Sequence, residues 1–232
     1  FHTMLMGISR DAAMLAYLDN GKNVKAHPNE NYARELMELF TLGEGHYTER
    51  DIKEAARAFT GWSVDRENGE FMFRRGIHDY GEKTVLGRTG NLDGDQVLDI
   101  LLRKPETSQF ITRKLWREFV APTHDTPAED AEVRRLATLF RESGYSIGKL
   151  MQAMLSSDAF YAPEHRAVLI KSPVEFVVGT LKQFDIEAPN LRPFVLASAL
   201  LGQNVFAPPN VKGWPGGEAW INSATLLGRK QL

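Results

Sequence analysis

Three segments of this 232-residue chain repeat one arrangement, and it constrains the fold more than any other feature. Thr48 stands three residues ahead of Asp51, Thr126-Pro127-Ala128 ahead of Glu129, and Ser172-Pro173-Val174 ahead of Glu175. A hydroxyl residue followed at that spacing by a carboxylate can exchange hydrogen bonds with the backbone as a capping box, and proline is favoured at the first helical position. Behind each box apolar residues recur at helical spacing. They are Ile52, Ala55, Ala56 and Phe59; Val133, Leu136, Ala137 and Phe140; and Val174, Val177, Val178, Leu181 and Phe184. Ser146 caps a further helix with Ile147, Leu150, Met151, Met154 and Leu155 on one face. Another helix opens near Asn29, carries the stripe Tyr32, Leu36, Leu39 and Phe40, and stops at Gly43, while Gly61 suits a left-handed C-cap. Helices also fit 10–19, 95–103, 108–120, 192–202 and 223–230.

One stretch breaks the rhythm. Between Trp62 and Leu86, Trp-Ser-Val-Asp and Phe71-Met72-Phe73 flank Glu67-Asn68-Gly69, and Asn-Gly between short apolar runs signals a hairpin. No fixed-period repeat or low-complexity linker divides the chain. The expected fold is mainly α: a multi-helix single domain over residues 1–232, with a small β-hairpin insert at about 62–75.

Composition removes several function classes. With 28 basic and 30 acidic side chains the net charge is −2, whereas a nucleic-acid binder needs an excess of cations. There are no cysteines, hence no disulfides, thiolate metal sites or thiol nucleophiles. No apolar run approaches the ~18 residues of a membrane span. The chain begins at Phe1 without a charged-then-apolar leader, so it is expected to be a fragment of a longer protein.

Three polar constellations carry the candidate chemistry. In Asn29–Leu39, Glu30, Arg34 and Glu38 follow at i, i+4 as an ion-pair ladder. Asn31, Glu35 and Glu38 share a neighbouring face suited to acid–base work or a divalent cation, or simply to a solvated helix. In His78-Asp79-Tyr80-Gly81-Glu82-Lys83, a histidine, a carboxylate and a lysine sit in a glycine-containing loop. There His78 is a candidate acid or base, Asp79 its orienting partner, and Lys83 or Arg34 a stabiliser of negative charge. The opposing reading gives Asp79 an Asx turn and Lys83 a local partner. Near the end, Pro208-Pro209-Asn210-Val211-Lys212-Gly213-Trp214-Pro215, then Trp220 and Asn222, offers indoles for stacking on a ligand, with Trp62 as a further contact; the alternative is that the indoles plug the core. Asn91, Asp93 and Asp95 suggest a calcium loop, but Gln96 and Leu102 stand where Gly and Glu are required. The six histidines are never within four residues of one another, so no metal-binding helix motif exists, no metal site is expected, and the cofactor is left open.

The run Asn29-Glu30-Asn31-Tyr32-Ala33-Arg34-Glu35-Leu36-Met37-Glu38-Leu39 with Thr41-Leu42-Gly43, and then Ala56-Arg57-Ala58-Phe59-Thr60-Gly61-Trp62, resembles the bacterial domain of unknown function 1800 family. His78-Asp79, Lys83-Thr84-Val85-Leu86-Gly87, Lys171-Ser172-Pro173-Val174-Glu175-Phe176 and Pro208–Pro215 continue the match in order. The resemblance implies a mostly helical, exported protein, periplasmic or extracellular, of which this chain is the C-terminal part. It also implies a protein partner from the domain of unknown function 1501 family. Many relatives have His where this chain has Phe40, which removes one ligand from any metal site built on Glu35 and Glu38. The expected function is a cell-envelope or extracellular binding and assembly protein, acting with a protein partner or a glycan through Trp62, Trp214, Trp220 and Asn222. The alternative is a hydrolase or lyase of an extracellular polymer using His78 and Asp79, with Lys83, Arg34, Glu35 and Glu38 in support.

Overall fold

A computed structural model describes residues 1–124 and 126–231. Among these residues the protein is mainly helical, as expected, but it carries two small antiparallel hairpins where the sequence predicts one. The elements in order are α1 (His2–Ile8), α2 (Ala12–Tyr17), α3 (Asn31–Glu35), α4 (Glu49–Ala58), β1 (Trp62–Val64), β2 (Phe71–Phe73), β3 (Lys83–Val85) and β4 (Arg88–Gly90). There follow α5 (Gly94–Arg103), α6 (Pro105–Phe119), α7 (Pro127–Glu142), α8 (Ile147–Leu155), α9 (Asp158–Tyr161), α10 (Pro173–Gln183), α11 (Arg192–Leu200) and α12 (Ser223–Gln231). The chain forms two compact units, Phe1–Trp116 with His124–Ser157, and Arg117–Thr123 with Asp158–Leu232.

In the first unit the cap chemistry is realised. Thr48 and Asp51 exchange their capping-box bonds at the start of α4, and Thr126 and Glu129 do so at α7. The stretch that fails the calcium-loop register is a helix start instead: Asp93 and Gln96 form a capping box for α5, at 2.9 and 3.0 Å. α4 packs against α3, α5 and β3, and Ile52, Ala55, Ala56 and Phe59 are fully buried, the predicted face. The α7–α8 pair likewise buries Val133, Leu136, Ala137 and Phe140 with Leu150 and Met154.

After α3 the helix widens into a π-helical segment, Leu36–Thr41, in which Leu42 N–H reaches back five residues to the Met37 carbonyl at 2.8 Å. A wider turn changes the phase of the buried face. Leu36, Met37 and Thr41 point inward, whereas Leu39 and Phe40, predicted for the stripe by a 3.6-residue period, are only half-buried.

The hairpins flank the loop that carries His78. β1 pairs with β2 in the register Trp62–Phe73, Ser63–Met72 and Val64–Phe71, turning through Gly69 at φ +74°. β3 pairs with β4 around Leu86 and Gly87, both in the left-handed region. Leu86 carries a Cβ there, so no Asn-Gly signal marked this second turn.

In the second unit the Ser172–Glu175 capping box forms as read, and α10 packs on α11. Of the stripe predicted for α10, however, only Val177 is buried; Val178 and Phe184 are exposed. Periodicity shows that a helix has an apolar side but not that another element covers it.

Candidate functional site

The corner where α4 ends and the His78 loop returns holds a buried polar network. A helix leaves its last carbonyls without intrahelical partners, and here side chains distant in sequence satisfy them. Asn23 Nδ2 donates to Ala56 O at 2.8 Å, and Asn20 Nδ2 donates to Phe59 O at 3.4 Å and Trp62 O at 3.0 Å. The two asparagines are joined at 3.2 Å, and Asn23 also accepts from Asn29 N–H at 2.9 Å. Thr60 Oγ1 donates to Arg57 O at 2.6 Å and accepts from Asp79 N–H at 2.8 Å. Neither Asn20 nor Asn23 is flagged by the sequence motifs; their only sequence signal is short amides in a loop rich in turn formers.

His78 belongs to the same corner. Its ring is nearly fully buried between Phe73 and Tyr80, at centroid separations of 5.2 and 4.7 Å, both edge-to-face. Nδ1 lies 2.7 Å from the Thr60 carbonyl, which only accepts, so Nδ1 carries a proton and donates it to that carbonyl. The orienting group is therefore a backbone carbonyl and not Asp79.

Asp79 is engaged elsewhere. Arg57 grips it through Nε at 2.7 Å and Nη2 at 3.3 Å, while Nη1 of the same guanidinium bonds both Glu54 oxygens and the Glu82 carbonyl. Arg57 holds the Asp79 carboxyl below its ordinary value, against burial that pushes it up. Glu54 accepts from Thr84 N–H and Asp51 from Leu86 N–H, so one face of α4 fastens the loop and β3 to the helix. Lys83 is sealed in, with Nζ donating to Gly81 O at 2.9 Å and Asn91 Oδ1 at 3.4 Å. Burial pushes its ammonium down, and the Asp79 charge opposes that shift.

The other proposed catalytic side chains lie at the opposite end of α4. Arg34 bonds both Glu49 oxygens at 2.7 Å and Glu30 at 3.2 Å, the Glu30–Arg34 step of the expected ladder. Glu38 instead accepts from Tyr47 OH at 3.0 Å, and burial together with that bond pushes the phenol up to about 12. Glu35 is half-buried on α3. Glu49 and Arg57 are eight residues apart, about 12 Å of helix rise. His78 and the Arg34 group are therefore anchored at separate stations, beyond the reach of one bridging water.

The aromatic candidates divide as well. Trp62 is 4% exposed, held edge-on by Phe59 and Phe71 at 5.1 and 5.2 Å. Arg10 lies over its face at 5.4 Å and grips Asp95 with Nη2 at 2.6 and 2.5 Å. Trp220 is 6% exposed. Neither indole offers a free face, which corrects the expectation that both line a contact surface: each plugs its own unit. Trp214 is half-buried, and Asn222 is exposed but caps α12, accepting from Ala224 and Thr225 N–H at 3.0 and 2.9 Å. Among the described residues no group of three His, Asp or Glu side chains is placed to hold a metal ion.

Fold and site together define a mainly α protein in which the sequence-singled polar residues fasten helices, loops and hairpins. The chain belongs to the family described as "Protein of unknown function (DUF1800)", whose family model matches residues 1–232. No curated protein and no solved structure matches it significantly. No helix among the described residues is long and apolar enough to cross a membrane.

Proposed function

We propose that the chain is a binding and assembly module of an exported protein, and that its second unit docks a protein partner. One observation carries this reading. Phe184, Leu191, Leu196, Leu200, Phe206 and Leu227 each leave more than half of their surface exposed, with Leu200 at 84% and Phe206 at 97%. Burying one such side chain is worth about 1.5–3 kcal/mol relative to leaving it in water, and concentrated exposure of this kind marks interaction sites. The first unit, by contrast, covers the apolar faces of α4 and α5. Aliphatic and phenyl groups suit a protein surface better than a glycan, whose stacking would need open indole faces; Trp62 and Trp220 keep theirs buried, and of the three candidate indoles Trp214 alone is partly open. Export, and a partner from the domain of unknown function 1501 family, are what the family resemblance implies, and both are part of this proposal.

The hydrolase reading draws less support, because Asp79 faces Arg57 and the Arg34 group stands at the far end of α4. The test mixes the purified chain with a purified protein of the 1501 family and measures mass by light scattering after size exclusion. It is repeated with Leu200→Asp combined with Phe206→Asp, two exposed sites. A complex formed by the wild type and lost in the variant supports the proposal. Self-association lost in the variant assigns the surface to a second copy and overturns the partner named here, as does a monomer that binds nothing.

A further inference from the structure

The second unit contains a concavity that the docking surface does not use. Phe119 and Val120 face the segment from Phe160 to Leu169 around a cavity of about 340 Å3, at the lower end of the 300–1,000 Å3 typical of small-molecule sites. Its walls are Phe119, Val120, Phe160, Tyr161 and Leu169, three of them aromatic. Tyr161, Phe119 and Leu169 are 63%, 43% and 41% exposed, so apolar surface in this hollow stays wet.

Two basic residues share the rim. His165 Nδ1 donates to the Ala159 carbonyl at 2.6 Å, which fixes the ring at the edge of the hollow. Arg166 lines the cavity, and its guanidinium makes no hydrogen bond or ion pair with any described residue. The next residue, Ala167, also lines the cavity and sits at φ +58°, a left-handed conformation that costs a residue with a Cβ. Such strain concentrates where a ligand or a switch needs the backbone held. Among the described residues no carboxylate lines the hollow.

We propose that this cavity binds a small organic acid with an aromatic or branched apolar body. The body would fill the space between Phe119, Phe160 and Leu169, and the carboxylate would pair with Arg166. The pairing is charge-complementary: a guanidinium matches a carboxylate through two parallel N–H donors, and an unpaired arginine beside apolar walls supplies the single polar anchor such a ligand needs.

The probe is 3-phenylpropionate, followed by saturation-transfer NMR and titration calorimetry on the whole chain, with 3-phenylpropionamide as the uncharged match. Arg166→Ala removes the anchor at an exposed position, and Leu169→Trp fills the cavity while leaving the arginine. The expected result is saturable binding of the acid, at least tenfold weaker for the amide and for Arg166→Ala, and abolished by Leu169→Trp with the circular dichroism of both variants unchanged. No saturable binding at millimolar acid, or equal binding to the wild type and Arg166→Ala, overturns the proposal. A partner complex is read by a different assay on different residues, so either proposal can fail alone.

Discussion

Replacing Gly94 by alanine sets two physical effects against each other, and the structure decides the sign. Gly94 is the first residue of α5. Helix propensity alone predicts that alanine stabilises by about 0.8–1 kcal/mol. A Cβ at this position, however, would stand 2.5 Å from Trp62 Cε2, 2.7 Å from Phe59 Cδ1, and also against Trp62 Cζ2. Ordinary carbon contacts lie at about 3.5–4.0 Å, so roughly 1 Å must be found. The indole is ill placed to yield, with Phe59 and Phe71 on its edges and Arg10 over its face. Withdrawing the helix end instead would strain the Asp93–Gln96 capping box. Overpacking costs about 1–3 kcal/mol, and the structure places this site at the upper end, leaving a net loss of about 2 kcal/mol after the propensity gain. In a chain of this size that lowers the melting temperature by about 4–8 °C. Gly148 lies in α8, and a methyl group there would meet nothing within 4 Å, so Gly148→Ala keeps the propensity gain and raises the midpoint. Calorimetric melts of both variants give the answer. A Gly94→Ala protein as stable as the wild type, or more so, would refute the packing of Trp62 against α5.

Asn23→Ala removes the donor to Ala56 O and Asn20, and the acceptor for Asn29 N–H, at a site only 1% exposed. At about 1–3 kcal/mol for an orphaned buried group, a loss of about 3 kcal/mol is expected in a urea titration; a loss under about 1 kcal/mol would mean that the α4 carbonyls find other partners. The Arg57–Asp79 pair predicts an acid dependence. Because the folded carboxyl is held below its ordinary value of 3.8, its contribution is present above that value and is lost as pH falls through the lower folded one. Asp79→Asn is expected to cost about 2 kcal/mol at neutral pH, with the gap to the wild type closing as the pH falls below the ordinary carboxyl value of 3.8. A gap that stays constant with pH would show that the charge is not the source.

Much of the local structure was legible in the chain. Thr48, Ser146, Thr126 and Ser172 cap the helices their spacing announces, and Asn68-Gly69 turns the expected hairpin, because caps and tight turns are settled by neighbours a few residues apart. Three features escaped the signals of residue type and spacing. The π-helical segment changes the phase of the buried face after Leu36, the second hairpin turns through a leucine, and the stripe on α10 meets too little to bury it. The candidate site shows the same division. The sequence supplied His78, Asp79 and Lys83 as chemically capable groups close together in one loop. Whether two of them cooperate depends on which atoms the rest of the chain brings to them. Thr60 takes the His78 proton donor, Arg57 takes the Asp79 carboxylate, and a buried environment closes over Lys83. Residue type and short-range spacing determined the helices, their caps and the list of reactive groups; only the tertiary structure could assign each group its partner, because hydrogen bonds and ion pairs form across space between residues that the sequence keeps 18 to 22 positions apart.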